Sequence, residues 1–297
     1  MEDFRSGFIA ITGRPNVGKS TLLNRLTGEK LAIVSSKPQT TRNQIRGVLT
    51  RDGFQAVFID TPGIHEPKTK LGGLMVKSAE AALGEVDIVI YMTEADLKNF
   101  DADAGIITRI ARASATLFLV LNKADKVPKP DVLTVIDRYG ALHSFAEIVP
   151  ISALTGENAD ELLAAIKNHL PTGPRYFPDD YLTDRPERFV AAEIIREKIL
   201  LYLQDEIPHG TAVEITSFKQ KKNMIEIGAT IVCEKESHKG IIIGKQGGLL
   251  KKIGGSARTE IENLLGARVF LETWVKVKKN WRDDDFTLRT LGYGKNG

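Results

Sequence analysis

Unbroken apolar runs alternate with amphipathic stretches through the first half of the chain. Phe8-Ile9-Ala10-Ile11, Val86 to Met92 and Thr116 to Leu121 read as strands buried on both faces, the pattern of a mostly parallel sheet. Gln44 to Thr50 and Phe54 to Ile59 are further strands, joined by Asp52-Gly53, a strong hairpin signal. Thr21 to Leu26 and the stretches 72–83, 101–113, 131–143 and 158–169 carry helical patterns, and Ile148 to Ile151 adds a strand. The expected architecture is a layered α/β sandwich.

Pro171 to Pro186 breaks the alternation with four prolines, Gly173 and several aspartates, and reads as a linker. A helical stretch follows from Glu187 to Glu206, then β-patterned runs at Ala212 to Phe218 and Met224 to Cys233. A glycine-bearing helical segment spans 240–255, and a last β-pattern runs from Arg268 to Lys278. The order α-β-β-α-α-β does not continue the first domain. The expected division is a first domain over 1–172, a linker over 173–186 and a second domain over 187–297.

A chain of 297 residues agrees with two domains. No apolar run approaches the ~18 residues of a membrane span, and Met1 to Arg5 does not read as a signal peptide, because a strand and a glycine loop follow at once. Cys233 is the single cysteine, expected to be buried and compatible with a reducing cytoplasm. The net charge of +3 is uneven. Residues 185–297 hold 20 basic against 15 acidic side chains, so the second domain is the better place for a polyanion partner.

Three motifs in fixed order carry the chemistry. Gly13-Arg14-Pro15-Asn16-Val17-Gly18-Lys19-Ser20 matches G-x-x-x-x-G-K-S/T at a strand-to-helix turn. Its backbone N–H groups, continued at Thr21, cradle phosphates; Lys19 bridges the outer ones and the Ser20 hydroxyl ligates Mg²⁺. Asp60-Thr61-Pro62-Gly63 ends a strand, with Asp60 at the Mg²⁺ shell and the Gly63 N–H at the γ-phosphate. Asn122-Lys123-Ala124-Asp125 ends another. Its Asp125 carboxylate accepts two N–H groups that guanine has and adenine lacks, while Asn122 holds the loop and the Lys123 stem covers the ring. Ser152-Ala153-Leu154 offers a backbone N–H for guanine O6. In Lys37-Pro38-Gln39-Thr40-Thr41-Arg42, Thr40 and Thr41 are both candidates to complete the Mg²⁺ shell. Lys19, Thr40, Thr41 and Gly63 are therefore expected around the reacting phosphate of a GTP/GDP switch. Ile64 stands where many GTPases carry a glutamine that orients water, so slow hydrolysis is expected. His65 beside it reads as a solvated loop residue, and Asn16 is a candidate ligand for a monovalent cation, K⁺.

The second domain holds Gly244-Lys245-Gln246-Gly247, a G-x-x-G that lets a nucleic-acid backbone come close, with Lys251 and Lys252 on the following helix. Trp274-Val275-Lys276-Val277-Lys278-Lys279 interleaves aromatic and basic residues. Trp274 is expected in the core, and Lys276, Lys278 and Lys279 near RNA.

These motifs, together with Gln39 to Arg42, Tyr181-Leu182-Thr183-Asp184-Arg185, Glu193-Ile194-Ile195-Arg196-Glu197-Lys198 and Leu288-Arg289-Thr290-Leu291-Gly292-Tyr293, closely resemble the Era family of bacterial Ras-like GTPases over nearly the whole chain. The resemblance implies a P-loop NTPase domain followed by an α+β type II KH domain. It also implies GTP-dependent binding to the 3′ end of small-subunit (16S) rRNA during assembly of the 30S subunit. A cytoplasmic location with peripheral association with the inner membrane goes with it, and an apolar residue at position 64 fits the family. A monomer is expected. The rival reading is an RNA-binding scaffold whose guanine nucleotide is structural and never hydrolysed.

Overall fold

In the computed structural model, residues 4–35, 37–64, 66–112 and 115–293 are described. The chain divides into two compact units. One comprises Met1–Ala32, Thr41–Glu66 and Met75–Asp184; the other comprises Ile33–Thr40, Pro67–Leu74 and Arg185–Gly297.

The first unit alternates strands and helices in the order β1 (Arg5–Gly13), α1 (Lys19–Thr27), β2 (Ile45–Arg51), β3 (Phe54–Asp60), α2 (Lys70–Ala82, of which this unit holds the part from Met75 onward), β4 (Ile88–Glu94), α3 (Phe100–Ile110), β5 (Thr116–Asn122), α4 (Lys129–Gly140), β6 (Glu147–Pro150) and α5 (Ala159–His169). They build one sheet in the order β2-β3-β1-β4-β5-β6. Only β2 runs antiparallel to its neighbour, paired Ile45 to Asp60 and Arg51 to Phe54 through the Asp52-Gly53 hairpin. Ile9, Ala10 and Ile11 of β1 and Ala56, Val57 and Phe58 of β3 are wholly buried, as continuous apolar strands require when both faces are covered. The strand order reverses beside β1, and in such sheets ligands bind outside the carboxyl ends of the strands at that point. Gly13, Asp60 and Asn122 are the last residues of β1, β3 and β5.

The proline-rich stretch after α5 is anchored rather than slack. The Gly173 N–H donates to the Phe4 carbonyl at 3.0 Å, the Tyr176 and Phe177 N–H groups donate to Gln55 Oε1, and the Val48 N–H donates to the Leu182 carbonyl at 2.9 Å. A buried glutamine at position 55, near the start of β3, is thereby satisfied.

The second unit contains α6 (Glu187–Tyr202), β7 (Ala212–Gln220), β8 (Ile225–Cys233), α7 (Glu236–Ile243), α8 (Gly248–Leu265), β9 (Val269–Val277) and α9 (Asp285–Thr290). Its sheet, β7-β8-β9, pairs β7 and β8 antiparallel and β8 and β9 parallel. Ile195 and Ile199 of α6, Ile227 and Ile231 of β8, and Ile253, Ala257 and Ile261 of α8 form the core, which includes the buried Cys233. Helix α6 stops four residues short of the expected Glu206. Asp205 is left-handed (φ 54°), and Pro208 restrains the residue before it.

Helix α6 buries four charged side chains: Glu193, Arg196, Glu197 and Lys198. The segment 33–40 of the same unit explains two of them. The Val34 N–H donates to Glu197 Oε1 at 3.0 Å, and Arg196 Nη2 donates to the Thr40 carbonyl while Arg196 Nε holds Glu193 Oε1 at 2.8 Å. Lys37 donates to the Leu203 carbonyl. The segment 67–74 is held similarly, Lys70 donating through its backbone N–H to Asp283 and through its ammonium to Asp285.

Trp274 is not in the core. It is 50% exposed, whereas Trp281 is 0% exposed and donates through Nε1 to the Gly210 carbonyl at 2.9 Å. Burial alternates along β9, and Trp274 shares the outward parity of Phe270, Glu272 and Lys276.

Candidate functional site

The loop from Gly13 to Ser20 joins β1 to α1 and folds back over the end of the sheet. Gly18 is left-handed (φ 107°), and a Cβ there would lie 2.3 Å from Asn122 Nδ2. Only glycine permits both the angle and the approach. Asn122 Nδ2 donates to the Val17 carbonyl at 2.7 Å, and Asn122 Oδ1 accepts from the Ala153 N–H at 2.9 Å. One buried side chain thus ties together the loops beginning at Gly13, Asn122 and Ser152.

Lys19 is buried and donates to the carbonyls of Gly13 (3.2 Å) and Arg14 (2.9 Å). Burial pushes its pKa down to about 8, with the Asp60 charge opposing. An ammonium held by carbonyls alone is primed to gain from phosphate oxygens. The Arg14 guanidinium is committed to Asp103, so Arg14 brings only its backbone to this surface.

Asp60 is wholly buried. Its Oδ2 accepts from Ser20 Oγ at 2.7 Å and from Thr41 Oγ1 at 3.1 Å, and the two hydroxyl oxygens lie 2.7 Å apart. Its Oδ1 has no hydrogen-bond partner among the described residues. Burial raises the Asp60 pKa, partly offset by Lys19 and the two hydroxyls. An orphaned buried carboxylate oxygen is costly, and hard oxygens of this kind suit a divalent cation such as Mg²⁺. Thr40 is turned elsewhere, its hydroxyl donating to the Lys37 carbonyl at 2.6 Å.

Thr61 is also buried and gives both its N–H and its hydroxyl to the Ile11 carbonyl, pinning Pro62 and Gly63 beside the phosphate loop. The Ile64 N–H donates to the Gly13 carbonyl at 3.2 Å, and its side chain is buried in the core on that face of the sheet. His65 lies outside the described residues.

Lys123 is left-handed (φ 62°) and pairs with Glu94, and Asp125 lies exposed in the short turn that follows. The Ala153 N–H points to Asn122 Oδ1, which seats the Ser152-Ala153-Leu154 loop beside the turn that begins at Asn122. Ser152 is buried and Leu154 exposed, with the Leu154 carbonyl accepting from Arg25.

In the second unit α7 and α8 meet at Gly244 to Gly247. Gly244 has a positive φ of 73°, and a Cβ there would lie 2.7 Å from the Leu249 Cβ. Lys245, Gln246 and Lys251 are exposed beside this turn. Lys252 lies over the Tyr202 ring at 4.4 Å, and Lys278 stands 3.8 Å from Asp284, so part of their charge is engaged locally. Lys276 and Lys279 are exposed.

Asp103 was missed as a site residue. It is buried on α3 and binds Arg14 at 2.6 Å. The signal was present in the sequence, because Asp103 falls on the apolar stripe with Ile107 and Ile110.

The family model described as 50S ribosome-binding GTPase matches residues 8–123, and that described as KH domain matches residues 206–282. The GTPase Era of Ruminiclostridium cellulolyticum is 54% identical over 294 residues, covering 99% of each chain. The GTPase Era of Geobacter metallireducens is 54% identical over 292 residues, covering 98% of each. A variant of Aquifex aeolicus Era bound to GDP·AlF4⁻ superimposes with a TM-score of 0.94 at 43% identity, covering 98% of this chain and 100% of that one. Era in complex with MgGDPNP and nucleotides 1506–1542 of 16S ribosomal RNA also gives a TM-score of 0.94 at 43% identity, with 98% and 99% covered. At more than half identity over nearly the full length of both chains, this chain belongs to the Era family of GTPases.

Proposed function

We propose that this chain is a GTP-operated switch that binds the 3′ region of small-subunit rRNA through its KH unit and acts in assembly of the small ribosomal subunit. The rRNA target is supported by the solved relative that holds nucleotides 1506–1542 of 16S rRNA together with MgGDPNP. The switch rests on one observation, the contrast between two adjacent threonines. The Thr41 hydroxyl stands with Ser20 and Asp60, while the Thr40 carbonyl is held by Arg196 of α6.

In this reading the phosphate-loop N–H groups and Lys19 hold the phosphates, Ser20 and Thr41 ligate Mg²⁺, and Asp60 holds its shell. Mg²⁺ bound there supplies charge neutralisation at the outer phosphates. Asp125 accepts from guanine N1 and N2. The Gly63 N–H meets the γ-phosphate, and Ile64 leaves water positioning to backbone groups, which keeps turnover slow. Asn16, left-handed in the loop (φ 65°), is the candidate K⁺ ligand. Equal turnover in potassium and sodium buffers would remove that role. Lys245, Gln246 and Lys251 meet the RNA backbone at the G-x-x-G turn. A cytoplasmic monomer with peripheral contact to the inner membrane rests on the family resemblance alone. Among the described residues no helix is long and apolar enough to cross a membrane.

GTP can drive RNA binding only by favouring the RNA-competent arrangement more than GDP does. Fluorescence anisotropy with an RNA copied from the small-subunit 3′ end tests this. Tighter binding with GDPNP than with GDP is expected; equal affinities end the coupling, and absence of binding ends the RNA assignment.

A further inference from the structure

We propose that Asp103 is a positioning residue of the phosphate loop, acting through Arg14 to set the carbonyls that seat Lys19. The carboxylate is buried on α3 and takes four donors. Oδ1 accepts from Arg14 Nε at 2.6 Å and Tyr91 OH at 2.7 Å; Oδ2 accepts from Thr93 Oγ1 and Tyr139 OH, both at 2.7 Å. Tyr91 and Thr93 lie on β4 and Tyr139 on α4, so three of the four donors come from the rigid frame. Arg14 alone comes from a loop.

The arrangement exceeds what packing needs. Three neutral hydroxyls already serve the carboxylate, and an apolar residue at position 103 would avoid burying a charge at all. Buried ion pairs are poor sources of net stability, and their best-attested use is to specify geometry. The geometry specified is that of Arg14. Its guanidinium is clamped to α3 while its carbonyl, 2.9 Å from Lys19 Nζ, receives the ammonium that will bridge the phosphates. Rotation of the Arg14 peptide would move that carbonyl and change the neighbouring loop N–H directions. The pair also neutralises Arg14, so the loop's phosphate-facing charge is that of Lys19.

Full-length Asp103→Asn, Arg14→Gln and the double variant should be compared with Val135→Ala, a core truncation on α4 that removes none of the four donors to Asp103. KM and kcat for GTP, dissociation of mant-GDP, and Tm are measured for each. Misplacing a reacting group by about 1 Å costs up to about a hundredfold. Each single variant is therefore expected to lose about tenfold in kcat/KM, with kcat itself lowered, and to release mant-GDP faster. The double variant should be no worse than the worse single, and Val135→Ala should keep wild-type kcat and KM at a lowered Tm. Wild-type kcat/KM in the single variants, or losses that multiply in the double, overturns the proposal. Should Asp103→Asn fail to fold, Arg14→Lys decides. It keeps the charge but lacks the Nε donor, and is expected to lose kcat/KM at unchanged Tm; a wild-type value overturns the proposal.

Discussion

The hydroxyl oxygens of Ser20 and Thr41 lie 2.7 Å apart, both bonded to the same Asp60 oxygen, although the residues are 21 apart in the chain. Thr40 sends its hydroxyl to the Lys37 carbonyl instead. The two threonines should therefore differ as alanines. Thr41→Ala is expected to weaken Mg²⁺-dependent GTP turnover about a hundredfold, the upper end for residues around a metal, while Thr40→Ala stays within a few-fold of wild type. Turnover against Mg²⁺ concentration checks this, and equal losses would refute it.

Asp125 is expected to select the base. Two charge-assisted hydrogen bonds at about 1.5–3 kcal/mol each vanish when the carboxylate faces adenine. Asp125→Asn should lower GTP affinity about a hundredfold or more and turn preference toward xanthine nucleotides. Competition calorimetry decides, and ATP displacing GTP from the unaltered protein at comparable concentrations would defeat the assignment.

The buried Lys19 makes nucleotide binding pH-dependent. Its folded pKa of about 8 lies below the ordinary 10.5. Below pH 8 both folded and unfolded chains hold the proton, and the cost of burying the ammonium is fully present. Between pH 8 and 10.5 the unfolded chain holds more protons, so stability of the nucleotide-free protein rises with pH. Phosphates restore the ammonium. GDP binding at about pH 9 should take up close to one proton, and at about pH 7 almost none, measured by calorimetry in buffers of different ionisation enthalpy. The same uptake at both values would contradict the burial argument.

At the G-x-x-G turn, Lys245→Asp combined with Gln246→Asp should abolish RNA binding and leave GTP hydrolysis by the free protein intact. Gln246 is left-handed (φ 50°), which aspartate tolerates, so the melting temperature should hold. Gly244→Ala is different in kind, because its methyl would press on Leu249 at 2.7 Å. It should lower the melting temperature along with RNA affinity. Loss of hydrolysis in the doubly substituted protein would mean that the turn is structural.

The two tryptophans give a stability contrast. Trp281→Ala empties a wholly buried site and should cost about 3–5 kcal/mol. Trp274→Ala removes a half-exposed ring and should cost about 0.5 kcal/mol. Urea denaturation of the two variants checks the assignment, and comparable losses would refute it.

Much was readable from local pattern. The phosphate loop, the strand ending at Asp60 and the turn after Asn122 follow from glycine spacing and apolar runs, because they depend on backbone conformation within a few residues. The outward place of Trp274 was equally present, in its shared parity with Lys276. Other decisions needed the folded chain. Nothing adjacent in sequence separates Thr40 from Thr41; the choice lies in the rotamers and partners that Asp60 and Lys37 provide. Asp103 stood on the buried stripe of its helix, but its partner, Arg14, lies 89 residues away, and only packing α3 against β4 and α4 brings four donors to one carboxylate. Short-range chemistry thus named the nucleotide loops. Long-range packing decided which side chains hold them in place, because a hydrogen bond between distant residues exists only once the chain between them has folded.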